Sequence, residues 1–498
     1  MNPDNLPDEL YTATGVRELD RIAIEDLGIP AISLMRRAGQ ACVEVLSNRW
    51  PAAKHIWIMC GSGNNAGDGY IIAGKLAERH LRVSVRTLGD IAKASPAAMM
   101  AYEYCLQSGV VPKIFDPQEV IEADVIVDAL LGTGLSGEVR PNYQHCIRLL
   151  NDTSLPILAV DIPSGLCADT GNCLGAAIEA VVTVTFIGLK RGLFTLNGPD
   201  CAGEVVYDPL GLGDEVLQQV VTGTKKLRLQ QLLDGLPIRR RNSHKNAFGH
   251  VLIVGGDRGM GGAVLMSAEA ALRAGAGLVT VATHPAHQAA MLSRCPELMV
   301  RGIEASSELD PLAARATVIV LGPGLGQSEW SKMVFGHLID HLSVSVVDAD
   351  GLNLLAKQPL RRDTWVLTPH PGEASRLLAD GTNIDADRFE AARRIQGQYG
   401  GVVVLKGVGS LVADPSSLDL CPYGNPGMAT AGMGDVLSGV IAALLAQGMP
   451  LKEASSLAVA VHAAAGDKVA EDGERGLLAT DTIAWIRRLL NPAPPRRG

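Results

Sequence analysis

Aromatic residues are scarce in this chain of 498 residues, where they account for only 4%. Hydrophobic residues still make up 47% of the sequence, so the cores are expected to consist mainly of Ala, Val, Ile and Leu. Charged residues amount to 19%, and with so much apolar material this composition excludes a globally disordered chain. The length exceeds what one ordinary core supports and predicts two or three domains.

Cys-x-x-Cys pairs, a dominant basic stripe and long apolar runs are also missing. The nine cysteines include no Cys-x-x-Cys pair, which argues against a zinc site or a disulfide scaffold and predicts a protein of the reducing cytoplasm. No apolar run reaches the roughly 18 residues of a membrane span, and the acidic N-terminus lacks the apolar segment of a signal peptide. A net charge of −9 without a dominant basic stripe argues against a nucleic-acid partner.

Two series of short apolar segments, each alternating with helical patterns, predict the fold. Such alternation indicates parallel sheets that are covered by helices on both faces. The predicted class is therefore α/β with two three-layer domains, residues 1–220 and 249–498, joined by a polar linker at 221–248. The predicted strands are 55–60, 81–87, 124–130, 156–162 and 181–188 in the first domain, and 250–256, 278–283, 317–324, 344–351, 365–372 and 401–407 in the second.

A glycine-rich string, GSGNNAGDG at 61–69, lies between the first predicted strand and a predicted helix. Ligands of open α/β sheets bind beyond the carboxyl ends of the strands, where a helix N-terminus favours anionic groups. Asp161 closes a later strand and Lys190 follows another. These two residues are the acid/base pair that the first domain offers at this edge of its sheet.

Hard oxygen ligands from three loops converge on the same edge. Asn65, Asp128 and Ser164 each follow or close a different predicted strand. Carboxylate, amide and hydroxyl oxygens suit a cation such as K⁺, Na⁺ or Mg²⁺. Several such residues at neighbouring strand ends favour a site over isolated turn-stabilising roles.

Three strings in this half, GNNAGDG, DALLGTGLSG and VDIPSGL, resemble the NAD(P)H-hydrate epimerase domain. Ala66 stands where that family usually has glycine, a change that a negative φ would tolerate. The resemblance implies that K⁺ binds at Asn65, Asp128 and Ser164, and that Asp161 binds or acts on the substrate. The implied contacts to the hydrated nucleotide are Asn64, Asn65, Ala66, Gly67, Asp68, Gly132, Thr133, Gly134, Leu135, Ser136, Gly137, Glu138 and Asp161.

In the second half, GMGD at 432–435 opens a long apolar helix. Backbone N–H groups at such a terminus can hold phosphate oxygens and stabilise developing negative charge. Asp435 is placed in the first turn to deprotonate a hydroxyl group that is aimed at the phosphate. This arrangement resembles the ribokinase-like superfamily, which implies a ribokinase-like three-layer fold for the second domain. The alternation of strands and helices in the first half predicts a Rossmann-like three-layer fold for the first domain.

Six ordered motifs together resemble the ADP- or ATP-dependent NAD(P)H-hydrate dehydratase domain. They are GHVLIVGGDRGMGGA (249–263), GPGLG (322–326), VDADGLN (347–353), TPHPGE (368–373), KGVGS (406–410) and AGMGD (431–435). The resemblance implies hydrate contacts from Ala263, Gly324, His370 and Asp435, and adenine-nucleotide contacts from Lys406, Gly407, Val408, Gly409, Ser410 and Gly434. Glu373 is expected to order Mg²⁺, while Asp348 and Asp350 are interpreted as shaping their loop.

The resemblance, which covers about residues 10–490, implies a bifunctional repair enzyme and a homo-oligomer. The first domain would interconvert the R and S forms of NADHX and NADPHX, either by loss and return of a hydroxyl or by ring opening. The second would dehydrate the S form, with ADP favoured over ATP, and release AMP and phosphate. The alternative is a ribokinase-like small-molecule kinase fused to a non-catalytic binding module.

Overall fold

The computed structural model describes residues 3–491. The chain divides after Thr224 into two compact units. Within the described residues, no helix is both long and apolar enough to cross a membrane.

Unit 1, the first of these, is built on a seven-stranded sheet in the order β4-β3-β2-β5-β6-β7-β9 with every pairing parallel. A separate two-stranded sheet pairs β1 with β8. The strands of this unit are β1 (Leu10–Tyr11), β2 (His55–Cys60), β3 (Arg82–Thr87), β4 (Lys113–Ile114), β5 (Val125–Ala129), β6 (Ile157–Val160), β7 (Val182–Phe186), β8 (Leu189–Lys190) and β9 (Glu204–Asp208). Its helices are α1 (Ala13–Arg21), α2 (Ala31–Arg49), α3 (Asn64–Glu78), α4 (Pro96–Gln107), α5 (Pro141–Asn151), α6 (Gly198–Ala202) and α7 (Asp214–Leu217), with a π-helical turn at Ile22–Asp26.

Alternate residues of each central strand enter different apolar clusters. In β2, Ile56 and Ile58 join a cluster with α2, α3 and α4, whereas Trp57 and Met59 join one with α5. Successive side chains of a strand point to opposite faces, so a sheet covered on both sides needs apolar residues at every position. Unit 1 therefore has the three layers that its continuous apolar strands predict.

Unit 2, which begins at Lys225, contains a ten-stranded sheet. Its order is β10-β19-β18-β17-β16-β15-β14-β11-β12-β13. The strands are β10 (Thr224–Lys226), β11 (His250–Val254), β12 (Leu278–Thr283), β13 (Met299–Gly302), β14 (Val318–Leu321), β15 (Ser345–Val347), β16 (Trp365–Leu367), β17 (Val402–Leu405), β18 (Leu411–Ala413) and β19 (Leu418–Leu420). The helices are α8 (Leu229–Asp234), α9 (Gly261–Arg273), α10 (Gln288–Arg294), α11 (Asp310–Ala313), α12 (Glu329–Leu338), α13 (Ala349–Lys357), α14 (Pro371–Leu378), α15 (Arg388–Tyr399), α16 (Met433–Ala446), α17 (Leu451–Ala470) and α18 (Ala479–Leu489).

The central strands β11 to β17 pair in parallel, and β18 and β19 extend the sheet antiparallel. Helices α9, α16, α17 and α18 cover one face with small apolar residues. Leu252 and Val254 are equally buried on the opposite face of β11. The predicted α/β class with parallel sheets is therefore confirmed, as are all eleven predicted strands. Two of them, 55–60 and 278–283, have the predicted bounds, and the other nine are shorter than predicted.

The predicted linker contains ordered elements. Residues 224–226 form the edge strand β10 of the second sheet, and α8 follows at once. The boundary between the units lies inside β10. The polar composition of the linker does not reveal β10, because an edge strand needs no continuous apolar sequence.

Both sheets have a switch point, where the chain reverses the direction in which it adds strands. In unit 1 it lies between β2 and β5, and in unit 2 between β11 and β14. Loops leave such neighbouring strands in opposite directions and open a crevice at their carboxyl ends. Ligand sites are expected at these two positions.

Candidate active sites

A cavity of about 840 Å³ lies at the switch point of unit 1. Its walls come from the loops after β2 and β5 and from α1 and α2. Ten of the predicted substrate contacts line it, namely Asn64, Asn65, Asp68, Gly132, Thr133, Gly134, Leu135, Ser136, Glu138 and Asp161. Ala66, Gly67 and Gly137 are close to these residues in the sequence but do not line the cavity. The buried residues Asp128, Ser164 and Lys190, at nearby strand ends, do not line it either.

The loop after β2 passes very close to the loop after β5. A Cβ atom on Gly61 would stand 2.0 Å from the carbonyl oxygen of Leu130, so no larger residue fits at this position. Helix α3 begins at Asn64, whose Oδ1 accepts a hydrogen bond of 2.6 Å from the Ser95 hydroxyl. Ala66 lies in the first turn of α3 and is not among the residues with positive φ. Its methyl group is therefore tolerated in place of the family's usual glycine.

Asp161 and Lys190 form a buried ion pair beside the cavity. The Lys190 ammonium group is fully buried and donates to Asp161 Oδ1, to Thr185 Oγ1 at 3.0 Å and to the carbonyl oxygen of Phe186 at 3.0 Å. The Asp161 side chain keeps 17% exposure and faces the cavity. Its φ of +69° is a strained conformation for a residue with a Cβ, a feature that clusters at functional sites.

Two further carboxyl groups face this pair. Burial, together with the charge of Asp161, raises the pKa of Asp20 to about 6. Burial also raises the pKa of Asp68 well above its ordinary value, with smaller contributions from Asp161 and Asp20. Asp20 was not predicted from the sequence, because it lies on α1, far from the strand-end motifs. The one available signal was a polar residue on an amphipathic helix, which is usually solvated.

The predicted cation ligands lie together under the floor of the cavity. Asp128 is fully buried; its Oδ1 accepts from the Ser164 hydroxyl at 2.6 Å and its Oδ2 from the Ser164 N–H at 2.8 Å. Asn65 donates through Nδ2 to the Leu131 carbonyl oxygen at 3.0 Å, and its buried Oδ1 has no hydrogen-bond partner. Burial raises the pKa of Asp128 to about 6, although the hydrogen bonds from Ser164 act to lower it. An orphaned amide oxygen beside a buried carboxylate is the donor set that a hard cation would satisfy.

In unit 2, the loops after β11 and β14 meet at the switch point. A Cβ atom on Gly324 would lie 3.0 Å from the Ala263 methyl carbon, so these two predicted hydrate contacts are neighbours. Asp350 Oδ2 accepts a hydrogen bond of 2.9 Å from the Gly326 N–H. Asp350 thus shapes the GPGLG loop, in agreement with its interpretation from the sequence.

Lys406 lies between carboxylates at the end of β17. Its ammonium group is 2.8 Å from Asp348 Oδ1 and 3.9 Å from Glu373 Oε2. Burial lowers the pKa of Lys406, but Asp348 and Glu373 together raise it above its ordinary value. Asp348, almost completely buried, therefore pairs with Lys406 and does more than shape a loop.

Asp435 lies in the first turn of α16, close to this cluster. Burial raises its pKa to about 7, with a contribution from Asp348 that Lys406 opposes. Gly434 is adjacent, since a Cβ atom there would stand 2.9 Å from Lys406 Nζ. One edge of the sheet thus holds the N-terminus of α16, the ammonium group of Lys406 and the Asp435 carboxyl group, whose pKa is near neutral.

His370 caps helix α14 and interlocks with Glu373. The Glu373 carboxylate accepts from the His370 N–H at 2.8 Å, and His370 Nδ1 accepts from the Gly372 N–H at 3.0 Å. Burial, Lys406 and Arg376 lower the pKa of His370. Half of the His370 side chain stays exposed and can meet a ligand.

The predicted nucleotide loop, residues 406–410, is a tight turn. The Ser410 hydroxyl donates to the Gly407 carbonyl oxygen at 3.0 Å and accepts from the Gly407 N–H at 3.2 Å. Val408 projects at the tip of the loop with 55% exposure. Arg388, which was not singled out in the sequence, lies beneath the loop and donates to its carbonyl oxygens.

The fold class of unit 2 is ribokinase-like, as predicted. A solved ribokinase-like superfamily protein from Enterococcus faecalis V583 is 31% identical, with a TM-score of 0.50, and the match covers 54% of this chain and 95% of that chain.

Family models match both units. A model described as NAD(P)H-hydrate dehydratase matches residues 251–488, and one described as YjeF-related protein N-terminus matches residues 31–192. A bifunctional NAD(P)H-hydrate repair enzyme Nnr from Coxiella burnetii is 48% identical over 97% of this chain and 99% of its own length. Its namesake from Escherichia coli is 42% identical over 99% of this chain and 96% of its own length. This chain belongs to the family of bifunctional NAD(P)H-hydrate repair enzymes.

Proposed function

We propose that this chain repairs hydrated nicotinamide dinucleotides at two separate sites. Unit 1 interconverts the R and S forms of NADHX and NADPHX. Unit 2 dehydrates the S form to NADH or NADPH with ADP as co-substrate, releasing AMP and phosphate. The observation that supports this division most strongly is that each unit has its own lysine–carboxylate pair near the carboxyl ends of its parallel strands, Lys190 with Asp161 and Lys406 with Asp348.

At the first site, Asp161 is the group that exchanges a proton with the substrate. Its carboxylate faces the cavity while Lys190 holds it from below and balances its charge. Asp20 and Asp68, whose pKa values are raised by burial and by the charge of Asp161, line the cavity beside this pair. Epimerisation at the ring carbon proceeds either by loss and return of the hydroxyl or by ring opening. Both routes require the same proton transfer.

Asn65, Asp128 and Ser164 would hold K⁺ at this site. The unpartnered Asn65 Oδ1 and the buried Asp128 carboxylate fit a hard cation, since both offer oxygens and no soft atom. Bound K⁺ would supply positive charge next to the glycine-rich loop. By neutralising Asp128 it would also favour the loop conformation in which Asn64 and Asn65 face the substrate.

At the second site, Asp435 acts as the general base. It takes the proton from the ring hydroxyl, whose oxygen attacks the β-phosphoryl group of ADP while the bond to AMP breaks. Phosphate then leaves the ring carbon, driven by the ring nitrogen lone pair, and loss of a proton from the adjacent carbon restores the double bond. A base with a pKa of about 7 suits this role near neutral pH. The N–H groups that open α16 stabilise charge on the transferring phosphoryl group.

Lys406, Gly434 and the loop that ends at Ser410 would contact the nucleotide phosphates. Ala263, Gly324 and His370 would contact the hydrate. Among residues 3–491, no group of three His, Cys, Asp or Glu side chains is arranged to hold a metal. Glu373 would therefore share Mg²⁺ with the phosphates, which is how this ion is commonly bound in phosphoryl-transfer sites.

The test pairs two variants of the full chain against R and S hydrates, with ADP, ATP or no nucleotide. Asp161→Asn should abolish interconversion and leave nucleotide-dependent consumption of the S form intact. Asp435→Asn should do the reverse. ADP is expected to support the reaction better than ATP. A stable phosphorylated product together with an inert first unit would instead establish the alternative, a small-molecule kinase fused to a binding module.

We also propose that the chain forms a homo-oligomer, as the family resemblance implies. The cysteine pattern of the sequence supports a location in the reducing cytoplasm. Sedimentation of the purified chain tests the first expectation, and fractionation of the source cells tests the second.

A further inference from the structure

Arg388, the first residue of α15, has an unusual environment for a charged side chain. It is 1% exposed, and its guanidinium group donates to four backbone carbonyl oxygens. These belong to Leu405 at 3.2 Å, Lys406 at 3.1 Å, Val408 and Gly409 at 3.3 Å. Three of the acceptors lie in the turn of residues 406–410 that carries the predicted nucleotide contacts, and Leu405 is the strand residue directly before it.

A buried guanidinium group is costly to maintain. Burial lowers the pKa of Arg388 to about 10, with Asp385 opposing the effect, so the side chain stays charged at neutral pH. Removing a cation from water is repaid only by many well-aligned hydrogen bonds. The planar fork of arginine can satisfy several carbonyls at fixed angles, whereas lysine has three donors at a single point.

These hydrogen bonds orient the peptide groups of the loop. In a trans peptide, the carbonyl of one residue and the N–H of the next point in opposite directions. Because the carbonyls of Val408 and Gly409 point at Arg388, the N–H groups of Gly409 and Ser410 point away from it, out of the core. An array of outward N–H groups is the kind of surface that receives phosphate oxygens.

Gly407 and Lys406 fit the same arrangement. Gly407 has a φ of +141°, and a Cβ atom there would stand 2.8 Å from Arg388 Nη2. Lys406 is held at both ends, by Arg388 on its carbonyl oxygen and by Asp348 on its ammonium group. A displacement of Arg388 would therefore move both the loop and the lysine.

We propose that Arg388 is a positioning residue for nucleotide binding in the dehydratase reaction, acting through the backbone of residues 405–410. This inference rests on the proposed function of unit 2. It predicts that loss of the guanidinium fork impairs use of the nucleotide much more than use of the hydrate.

The experiment compares Arg388→Lys and Arg388→Gln with wild type in the full chain. A matched control is Arg394→Gln, which removes an arginine of the same helix that pairs with Asp380 at the surface. The KM for ADP should rise about 10- to 100-fold in Arg388→Gln, the scale of lost charged hydrogen bonds. The KM for the S hydrate and kcat at saturating ADP should change much less. Arg388→Lys should have an intermediate KM for ADP, and added methylguanidinium should partly lower the raised KM of Arg388→Gln. The KM of Arg394→Gln should match that of wild type.

A folded Arg388→Gln protein with a wild-type KM for ADP would overturn the inference, and so would an equal loss for both substrates. If Arg388→Gln does not fold, Gly407→Ala decides the question, because its methyl group displaces the loop from an intact Arg388. A raised KM for ADP in that variant supports the inference, and an unchanged one overturns it. Failure of the proposed function would be recognised separately, since the wild-type chain would then show no dependence on ADP or ATP.

Discussion

The substitution Asp435→Asn separates a catalytic base from a residue that only stabilises a helix. It removes the charge and keeps the shape of the side chain. A general base contributes typically about 10²–10⁴-fold in rate, so the dehydratase kcat should fall at least about a hundredfold on that scale. The KM for ADP should change little, and wild-type kcat should fall as the pH drops below the pKa of about 7.

The same substitution should lower activity but stabilise the folded state of unit 2. The pKa of Asp435 rises from 3.8 to about 7 on folding, so the folded chain holds this proton more tightly than the unfolded chain. Ionisation of Asp435 therefore does not change the free energy of unfolding below about pH 4 and lowers it by the full amount above about pH 7. That amount is on the order of 4 kcal/mol before allowance for the partial exposure of the carboxyl group. Asp435→Asn should raise the free energy of unfolding of unit 2 at pH 8 and leave it unchanged at pH 4.

Steady-state assays of the S hydrate and chemical denaturation at the two pH values test both effects. Epimerase activity of the same preparation controls for protein quality. If Asp435 only complemented the helix dipole, its loss would cost about 0.3–1 kcal/mol of stability and leave kcat close to wild type. A less stable, nearly fully active variant would refute the reasoning.

The remaining predictions concern unit 1 and the division of the chain. Asp128→Ala should weaken epimerisation and its dependence on K⁺ while dehydration stays nearly intact; a crystal grown in K⁺ with no ion beside Asp128 would count against the site. Lys190→Met should destabilise unit 1 by about 3–5 kcal/mol, the cost of leaving a buried partner charge uncompensated, with a smaller loss when Asp161→Asn is added; equilibrium denaturation measures both. Residues 1–220 alone should interconvert R and S hydrates without nucleotide, and residues 225–498 alone should consume the S form only with ADP or ATP; a folded but inert first half would favour a non-catalytic module.

Much of the fold was predictable because its central strands are buried on both faces. Such strands are continuous apolar runs, and each predicted run contains an observed strand. The strands that were missed lie at edges or are very short, as with β10 and the pair β1–β8. Their sequences are mixed because an edge strand is stabilised by a partner that the local sequence does not reveal.

The sequence by itself determined the strand-end motifs, their order and the family to which they belong. Parallel strands bring their carboxyl ends to one edge, which predicts Asp161 and Lys190 as site residues. The place of Asp435 in the first turn of a helix predicts it as a site residue of the second unit. The sequence left the fit of Ala66 dependent on a negative φ, and the structure supplied that condition by placing Ala66 in the first turn of α3.

Only the tertiary structure decided which charges meet. Asp20 and Asp161 are far apart in sequence and lie within electrostatic range of each other because folding brings α1 and the end of β6 to the same cavity. Asp348 neutralises Lys406, and Arg388 binds the carbonyls of a loop that follows its own helix. A charged residue near a helix terminus looks solvated in sequence, since its burial and its partners depend on chain segments that are brought together only by folding.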